Sequence, residues 1–551
     1  MNQTAQRRNE IRFWQAFAVA AVVVIVVAGF RWSRLHPFGA HWDEAQYLDE
    51  VAIDVQRLRA GLLLKAAGRM LIKSWGRPPA YRLLAVPVLA ITGFSTTVAR
   101  LTTLACYVLS SWLVYLSTKR LSNDLGAAFA VLTFCLSAQV VSASLWFSSE
   151  GPLYLATSAT FYFLFSSWMD DPERSRNWVG LGLAMALGFL SKSSFLLIGG
   201  PALALGFVAS RWKFVSRPAP WAYVKAGILA ACVSGPWWLL NLKAAIAYAA
   251  YARGFVRNSL GSPSLPTWGR WLGTASEALL GYAITSIVVL IVVISVREAL
   301  QRKRTLLSAV QKLGLVACAC AGLPIVLMQL SGTNHLLRHI SPSLIPLGIA
   351  VGIVAGNLDW VHSWSAAVIL GGLFLLQLGT LIYPMIFVNR DAVDPGLPNG
   401  SLPWRIMSLQ DQWDWTPVEK IADQCGLSDP KIAYAGNGRA LNQPQIQMPW
   451  ARKGNPSEVT WLWRYEDGPI DWRKIMDKIS QSDLVVTAPG YVGELSDRED
   501  LDNHYNSDLA SRVSQSGQFR DPVELNLGRF APVKVLVFKN NRLSCGTNTS
   551  R

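Results

Sequence analysis

The sequence predicts a mainly α, polytopic transmembrane helical bundle of about eleven spans, followed by a C-terminal extracytoplasmic α/β domain. Three observations carry this. The 551 residues are 51% hydrophobic and only 16% charged, whereas a soluble chain carries about a quarter charged residues. Apolar windows of about 18 residues or more recur, as a bilayer requires. After residue 389 the long apolar runs stop and short strand-like and helix-like pieces alternate.

The apolar segments fall near 13–31, 97–117, 125–146, 152–169, 178–191, 195–210, 221–240, 279–296, 307–330, 338–356 and 364–388. The first, AFAVAAVVVIVVAGF, follows Arg7, Arg8 and Arg12 and has the look of a signal-peptide core. Phe30, Arg31 and Trp32 come after it in place of a small-residue cleavage site, so it reads as a retained first helix. The runs at 178–191 and 195–210 are short, with SKSS between them, and one broken span there would invert everything downstream. Charge decides the count. With a cytoplasmic N-terminus and eleven spans, Lys119-Arg120, DDPERSRN, RWKFVSR and REALQRKR all fall inside. With ten, REALQRKR would lie outside, against the positive-inside rule.

The formal charge of +16 invites a nucleic-acid reading. The Lys and Arg sit mostly at the ends of apolar runs, which is what orients helices, so no nucleic-acid partner is expected. Three segments then face outward: a first loop near 32–96, a second near 241–278, and everything after about 389. The expected division is a membrane module over 1–389 and a separate domain over 390–551. In the latter, KIAYAG, VTWLW, DLVVTAP and VKVLVFKN read as strands, DWRKIMDKIS and DLASRVSQ as helices. Cys106, Cys135, Cys232, Cys318 and Cys320 lie in apolar segments and read as small core residues. Cys425 and Cys545 can pair in an oxidising compartment, and two unpaired thiols are the equal alternative.

The first outer loop contains HWDEAQYLDE, with Asp43, Glu44, Asp49 and Glu50 close together. A helix start favours acids, and that explains one or two of them. Asp49, Glu50 and Asp54 read as a solvated helix face. Other isolated charges lie at the same predicted surface: Arg77 in WGRPPAYR, Glu150 in WFSSEGPLY, Lys192 in SKSS and Arg338 in NHLLRHISPSLIPL. Charges this close to hydrocarbon are costly and commonly face a cavity or a partner. Together they suit one chemistry, in which a carboxylate takes a proton from an acceptor and cations hold a phosphate leaving group. The bland readings are a helix N-terminal acid for Glu150 and a snorkelling interfacial cation for Arg338.

In their order and placement these stretches resemble the GT-C membrane glycosyltransferases, in particular the group of protein O-mannosyltransferases and lipid A aminoarabinose transferases. The matching stretches are WDEAQY, RPPAY, STTVARL with its span ending in Lys-Arg, SSEGPLY, GFLSKSS and RHISPSLIPLGIAVG, across roughly 10–390. The resemblance implies an inverting transfer of sugar from a polyprenyl-phosphate donor at the outer leaflet of a bacterial inner membrane. By position it makes Asp43 the base, Glu44 its orienting or acceptor-binding partner, and Glu150 a second acid. Arg77, Lys192 and Arg338 become phosphate contacts, and Tyr47, Tyr81 and Tyr154 line the pocket. Ser flanks Lys192 on both sides, where the family often has Gly after or Thr before.

No cofactor is required by this reading. A divalent ion is the possible exception: His335 and His339 are spaced i,i+4, and His36 and His41 lie near Asp43. GNG at 436–438 lacks the third Gly of a dinucleotide fingerprint. Rival classes are a flippase or transporter of lipid-linked sugars, which would favour broken helices, an oligosaccharyltransferase, whose Trp-Trp-Asp run is absent, and a passive receptor. The acceptor is a lipid, a glycan or a protein. The tail is expected to affect acceptor choice but not the chemical step, and Asp49→Asn is expected to be silent.

Overall fold

In the computed structural model, the described residues are 3–39, 42–72, 77–170, 175–211, 220–260, 269, 273, 275–302, 307–331, 337–386, 413–436, 438, 440–455, 457–462, 470–491, 505–528 and 532–545. They form two compact units. The first comprises Met1–Trp32, Gly68–Leu84 and Arg100–Trp404; the second comprises Ser33–Ala67, Ala85–Ala99 and Arg405–Arg551. Residues 33–67 and 85–99 thus belong with the tail, and residues 68–84 with the spans.

The first unit is helical, and each of the eleven apolar segments contains a helix. Among the described residues six helices are long and apolar enough to cross a membrane: Arg7–Leu35, Thr96–Leu121, Pro220–Tyr248, Tyr282–Gln301, Ala309–Met328 and Trp364–Tyr383. Shorter apolar helices cover Ser193–Ala209 and Ser341–Ala355. The 125–146 segment is two helices, Asp124–Cys135 and Ala138–Leu145, bent by 61°. A bend strands backbone carbonyls, which in hydrocarbon must find donors. Gln377 supplies one, its amide donating to the Leu136 carbonyl at 3.0 Å.

Helix Gln3–Leu35 seats Trp14 against Phe129 (4.7 Å between centroids) and Phe374 (6.1 Å). Helix Asp124–Cys135 meets helix Leu344–Ala355 backbone to backbone. A side chain at Gly126 would strike the Gly352 carbonyl, and one at Gly352 the Gly126 carbonyl. At one end of the bundle several connections touch. Arg120 pairs with Asp170 at 2.8 Å, Asn123 donates to the Gly356 carbonyl at 2.7 Å, and the Trp360 amide donates to Glu298 at 3.2 Å. His362 lies 3.4 Å from Glu10. Cys106, Cys135 and Cys318 are buried as expected, but Cys232 and Cys320 are exposed on the protein's surface. Their helices are largely apolar all round, so sequence alone does not say which face turns inward.

The second unit is built on a five-stranded sheet of order β2-β1-β3-β5-β4. The strands are β1 (Lys431–Tyr434), β2 (Glu458–Trp461), β3 (Leu484–Thr487), β4 (Val523–Leu527) and β5 (Val533–Lys539). β1 pairs in parallel with β2 and β3, while β5 runs antiparallel to both β3 and β4. All four residues of β3 are buried, as a central strand covered on both faces demands. Cys425 and Cys545 form a disulfide. Helix Trp42–Arg59 packs on helix Gln443–Arg452 within this unit. Glu44, Asp49, Glu50 and Asp54 are all buried, so the solvated-face reading of Asp49, Glu50 and Asp54 is corrected. The helix is covered on more than its apolar stripe, which an acidic sequence does not announce.

Candidate active site

Glu150 begins helix Glu150–Met169, just ahead of the apolar run at 152–169. The residues before it hold it in place: its own N–H donates to Ser148 Oγ at 3.3 Å, and Ser149 Oγ lies 3.4 Å from Oε2. Lys192 stands where helix Ser175–Ser191 ends and a 3₁₀ turn, Ser193–Phe195, begins, and its backbone is extended (φ −160°, ψ 141°). The break is fixed by packing, since the Phe195 ring occupies the space a side chain at Gly188 or Gly199 would need. Lys192 Nζ donates to Glu150 Oε1 at 2.7 Å, with the two side chains 19% and 6% exposed.

Arg338 and His339 occupy a single turn, Leu337–His339, ahead of helix Leu344–Ala355. Burial alone would push the Glu150 carboxyl up. The charges of Lys192, Arg338 and His339, with the Lys192 hydrogen bond, outweigh burial and hold it below its ordinary 4.5. The Arg338 turn is tied down from within: Tyr154 OH donates to Ser341 Oγ at 2.7 Å, and Ser341 Oγ donates to the Arg338 carbonyl at 2.8 Å. One carboxylate thus feels two permanent cations, Lys192 and Arg338. Such a cluster can bind an anion and stabilise charge that grows on it.

The structure therefore brings together Glu150, Lys192, Arg338 and His339, which sequence had placed only on one surface. Tyr154 anchors the Arg338 turn. Tyr81 is buried and packs edge-on against Phe147, 5.9 Å between centroids. Arg77 meets Tyr248, with a 3.3 Å hydrogen bond and its guanidinium 5.4 Å from the ring centre. Asp43, Glu44 and Tyr47 lie on helix Trp42–Arg59 in the second unit; Asp43 is half-buried, Glu44 and Tyr47 buried. His335 and His41 lie outside the described residues. His36 is buried, and among the described residues no group of three or more His, Cys, Asp or Glu could hold a metal.

Sequence reasoning missed the serines around Glu150, Ser341, and two buried guanidinium groups, Arg82 and Arg100. Arg100 lies over the Trp32 ring at 4.8 Å. Its signal was available: a lone Arg at the mouth of an apolar run in STTVARL. Arg82 follows RPPAY directly and gave no separate signal.

The architecture has solved counterparts. Residues 76–239 match the family model described as dolichyl-phosphate-mannose-protein mannosyltransferase. Over 96% of its length this chain aligns with 98% of ArnT from Cupriavidus metallidurans, at 13% identity and a TM-score of 0.57. The chain has the GT-C fold. The same ArnT solved with undecaprenyl phosphate bound gives a TM-score of 0.56 at 13% identity, covering 95% of this chain and 98% of that one. The archaeal oligosaccharyltransferase AglB from Archaeoglobus fulgidus, in complex with an inhibitory peptide and a dolichol-phosphate, aligns at 11% identity and a TM-score of 0.52, covering 97% and 75%. Comparison with curated protein sequences gives no match. The family-model match contains Arg77, Glu150 and Lys192 but neither Asp43 nor Arg338. With its apolar helices, the GT-C fold makes this an integral membrane protein.

Proposed function

We propose that this protein is an inverting glycosyltransferase. It moves a sugar from a polyprenyl-phosphate donor to an acceptor hydroxyl at the outer face of a bacterial inner membrane. The observation that carries this is the Glu150–Lys192 pair with Arg338 beside it, a grouping of cations built where apolar helices end. It suits a lipid phosphate, whose head group lies at that depth. Asp43 takes the acceptor's proton as its oxygen attacks the anomeric carbon. The bond from that carbon to the phosphate oxygen breaks, and the polyprenyl phosphate leaves with its charge on Lys192, Arg338 and Arg77. Glu44 orients Asp43 or binds the acceptor.

The topology that goes with this has eleven spans, a cytoplasmic N-terminus, and an extracytoplasmic domain over 390–551. The contacts among Glu10, Arg120, Asp170, Glu298 and the 360–362 turn support it, because alternation puts all of them at one face. A flippase of lipid-linked sugars is the second reading. It draws on the chain breaks at Lys192 and between residues 135 and 138, since interrupted helices line transport sites.

One assay separates the readings. Membranes holding wild type or Asp43→Asn are given a panel of polyprenyl-phosphate sugars and acceptors. Loss of the base should cut transfer by roughly 10²–10⁴-fold while undecaprenyl phosphate still binds. Near-normal transfer by folded Asp43→Asn would remove the mechanism. Donor movement across vesicles without transfer would favour the flippase.

A further inference from the structure

We infer that the C-terminal domain holds the acidic helix of the first outer segment in register, with Gln445 and Arg452 as positioning residues for Asp43. This rests on the reading of Asp43 as base. It revises the expectation that the tail matters only to acceptor choice.

The case is geometric. Helix Gln443–Arg452 starts sharply: the Asn442 side chain accepts from the Gln445 N–H at 3.0 Å and donates to the Gly438 carbonyl at 3.1 Å, a strong N-cap. The cap leaves the Gln445 side chain facing the chain that leads into helix Trp42–Arg59, where its amide donates to the Gly39 carbonyl. Gly39 lies four residues before Asp43. A Cβ there would come within 3.0 Å of that same amide and 3.1 Å of Ala45, so glycine is what permits the approach.

The far end is clamped as well. Ala451 packs with Ala52 and Ile53 beside Phe94, and Gln56 donates to the Arg452 carbonyl at 2.7 Å. The Arg452 guanidinium lies 5.7 Å from the Phe94 ring centre, and it feels the charges of Asp414, Asp49 and Glu419. Beyond it Gly454 turns the chain at φ +85°, against Gln56, as a left-handed helix stop requires. One ten-residue helix of the tail thus grips both ends of the segment that carries Asp43. Gln445 sets where the segment enters, and Arg452 sets how its later turns lie. Neither needs to touch substrate. A base must sit within hydrogen-bond reach of the proton it takes, and a misplacement of about 1 Å can cost roughly 10²-fold.

The test uses the full-length protein in lipid nanodiscs, with the undecaprenyl-phosphate sugar that wild type turns over. Gln445→Leu keeps the volume and removes the donor. It should lower kcat by at least about tenfold, with KM for the donor and Kd for undecaprenyl phosphate within about twofold. A cross-link supplies the rescue. Gln445→Leu carrying Ala52→Cys and Ala451→Cys should recover most of kcat when oxidised and lose it on reduction, while reduced wild type stays active. The cross-linked protein also serves should Gln445→Leu alone fold poorly. Asp43→Asn run alongside separates the failures. Unchanged kcat in Gln445→Leu with Asp43→Asn inactive overturns the positioning role alone. An active Asp43→Asn overturns the reading beneath it. A parallel fall in kcat and phosphate binding, unrescued by the cross-link, marks plain unfolding and also overturns the proposal.

Discussion

Breaking the Glu150–Lys192 pair tests whether the cluster is built for its charges. At 2.7 Å and an effective dielectric of about 20, the attraction is on the order of 6 kcal/mol before desolvation. Taking both ions out of water offsets several kcal/mol of that, so the intact pair nets little. Truncation of one partner is different, because the other keeps its desolvation cost. Glu150→Gln leaves Lys192 without its 2.7 Å carboxylate, and Lys192→Met leaves the buried Glu150 carboxylate without its hydrogen-bonded ammonium. Each should destabilise by about 3 kcal/mol, the low end of the range for buried pairs, because Lys192 is 19% exposed. The double variant removes both charges and should cost about 3–4 kcal/mol rather than the roughly 6 kcal/mol of the two singles added, a coupling of about 2–3 kcal/mol. Unfolding in detergent micelles by SDS titration, followed by tryptophan fluorescence, reads the cycle. Single effects that add to within about 0.5 kcal/mol would show that the pair behaves like an exposed surface bridge, and the argument for a charge-built site would fail.

The pair should also show in pH. The Glu150 pKa is lowered on folding, so its contribution is complete above the ordinary value of 4.5 and disappears as pH falls through the lowered one; acid unfolding of Glu150→Gln should lack that limb. Asp49→Asn should destabilise the second unit measurably, because Asp49 is buried and faces Arg452; exposed Asp477→Asn is the silent control. Cys425→Ser opens a link across 120 residues and should cost roughly 2–5 kcal/mol, seen as a lower melting temperature and a newly maleimide-reactive Cys545. A reporter active only in the cytoplasm, fused after Arg551, should stay silent; activity there would invert the proposed topology.

The helices were legible because hydrophobic runs of bilayer length leave the chain few options. So were four of the five strands. The fifth, VELNL, was not singled out: it alternates acid and amide with its apolar residues, and Glu524 and Asn526 are exposed. Helix Gln443–Arg452 was hidden by Pro444 and Pro449; the first is harmless in an opening turn, and the second is carried by the packing around it. The candidate cations were legible one by one. Their meeting was not, because Glu150, Lys192 and Arg338 come from three separate connections, which contacts such as the packing of Phe195 and the Tyr154–Ser341 bond hold in place. The acids of helix Trp42–Arg59 misled in the opposite sense. Nothing in WDEAQYLDE says that a helix some four hundred residues later will cover it.

The glycine contact between helices Asp124–Cys135 and Leu344–Ala355 bears on how the protein is made. The ribosome delivers Gly126 to the bilayer roughly two hundred residues before Gly352. Until then lipid tails must cover the strip around Gly126, where no side chain projects. When the later helix arrives, the two backbones close on each other at the glycines, with Ala130 and Thr118 against Gly352. The turn bearing Arg338 leads directly into that later helix. The last cation of the cluster is therefore delivered by the same docking step that displaces lipid from the strip, and an insertion intermediate halted before residue 344 would hold Glu150 and Lys192 without it.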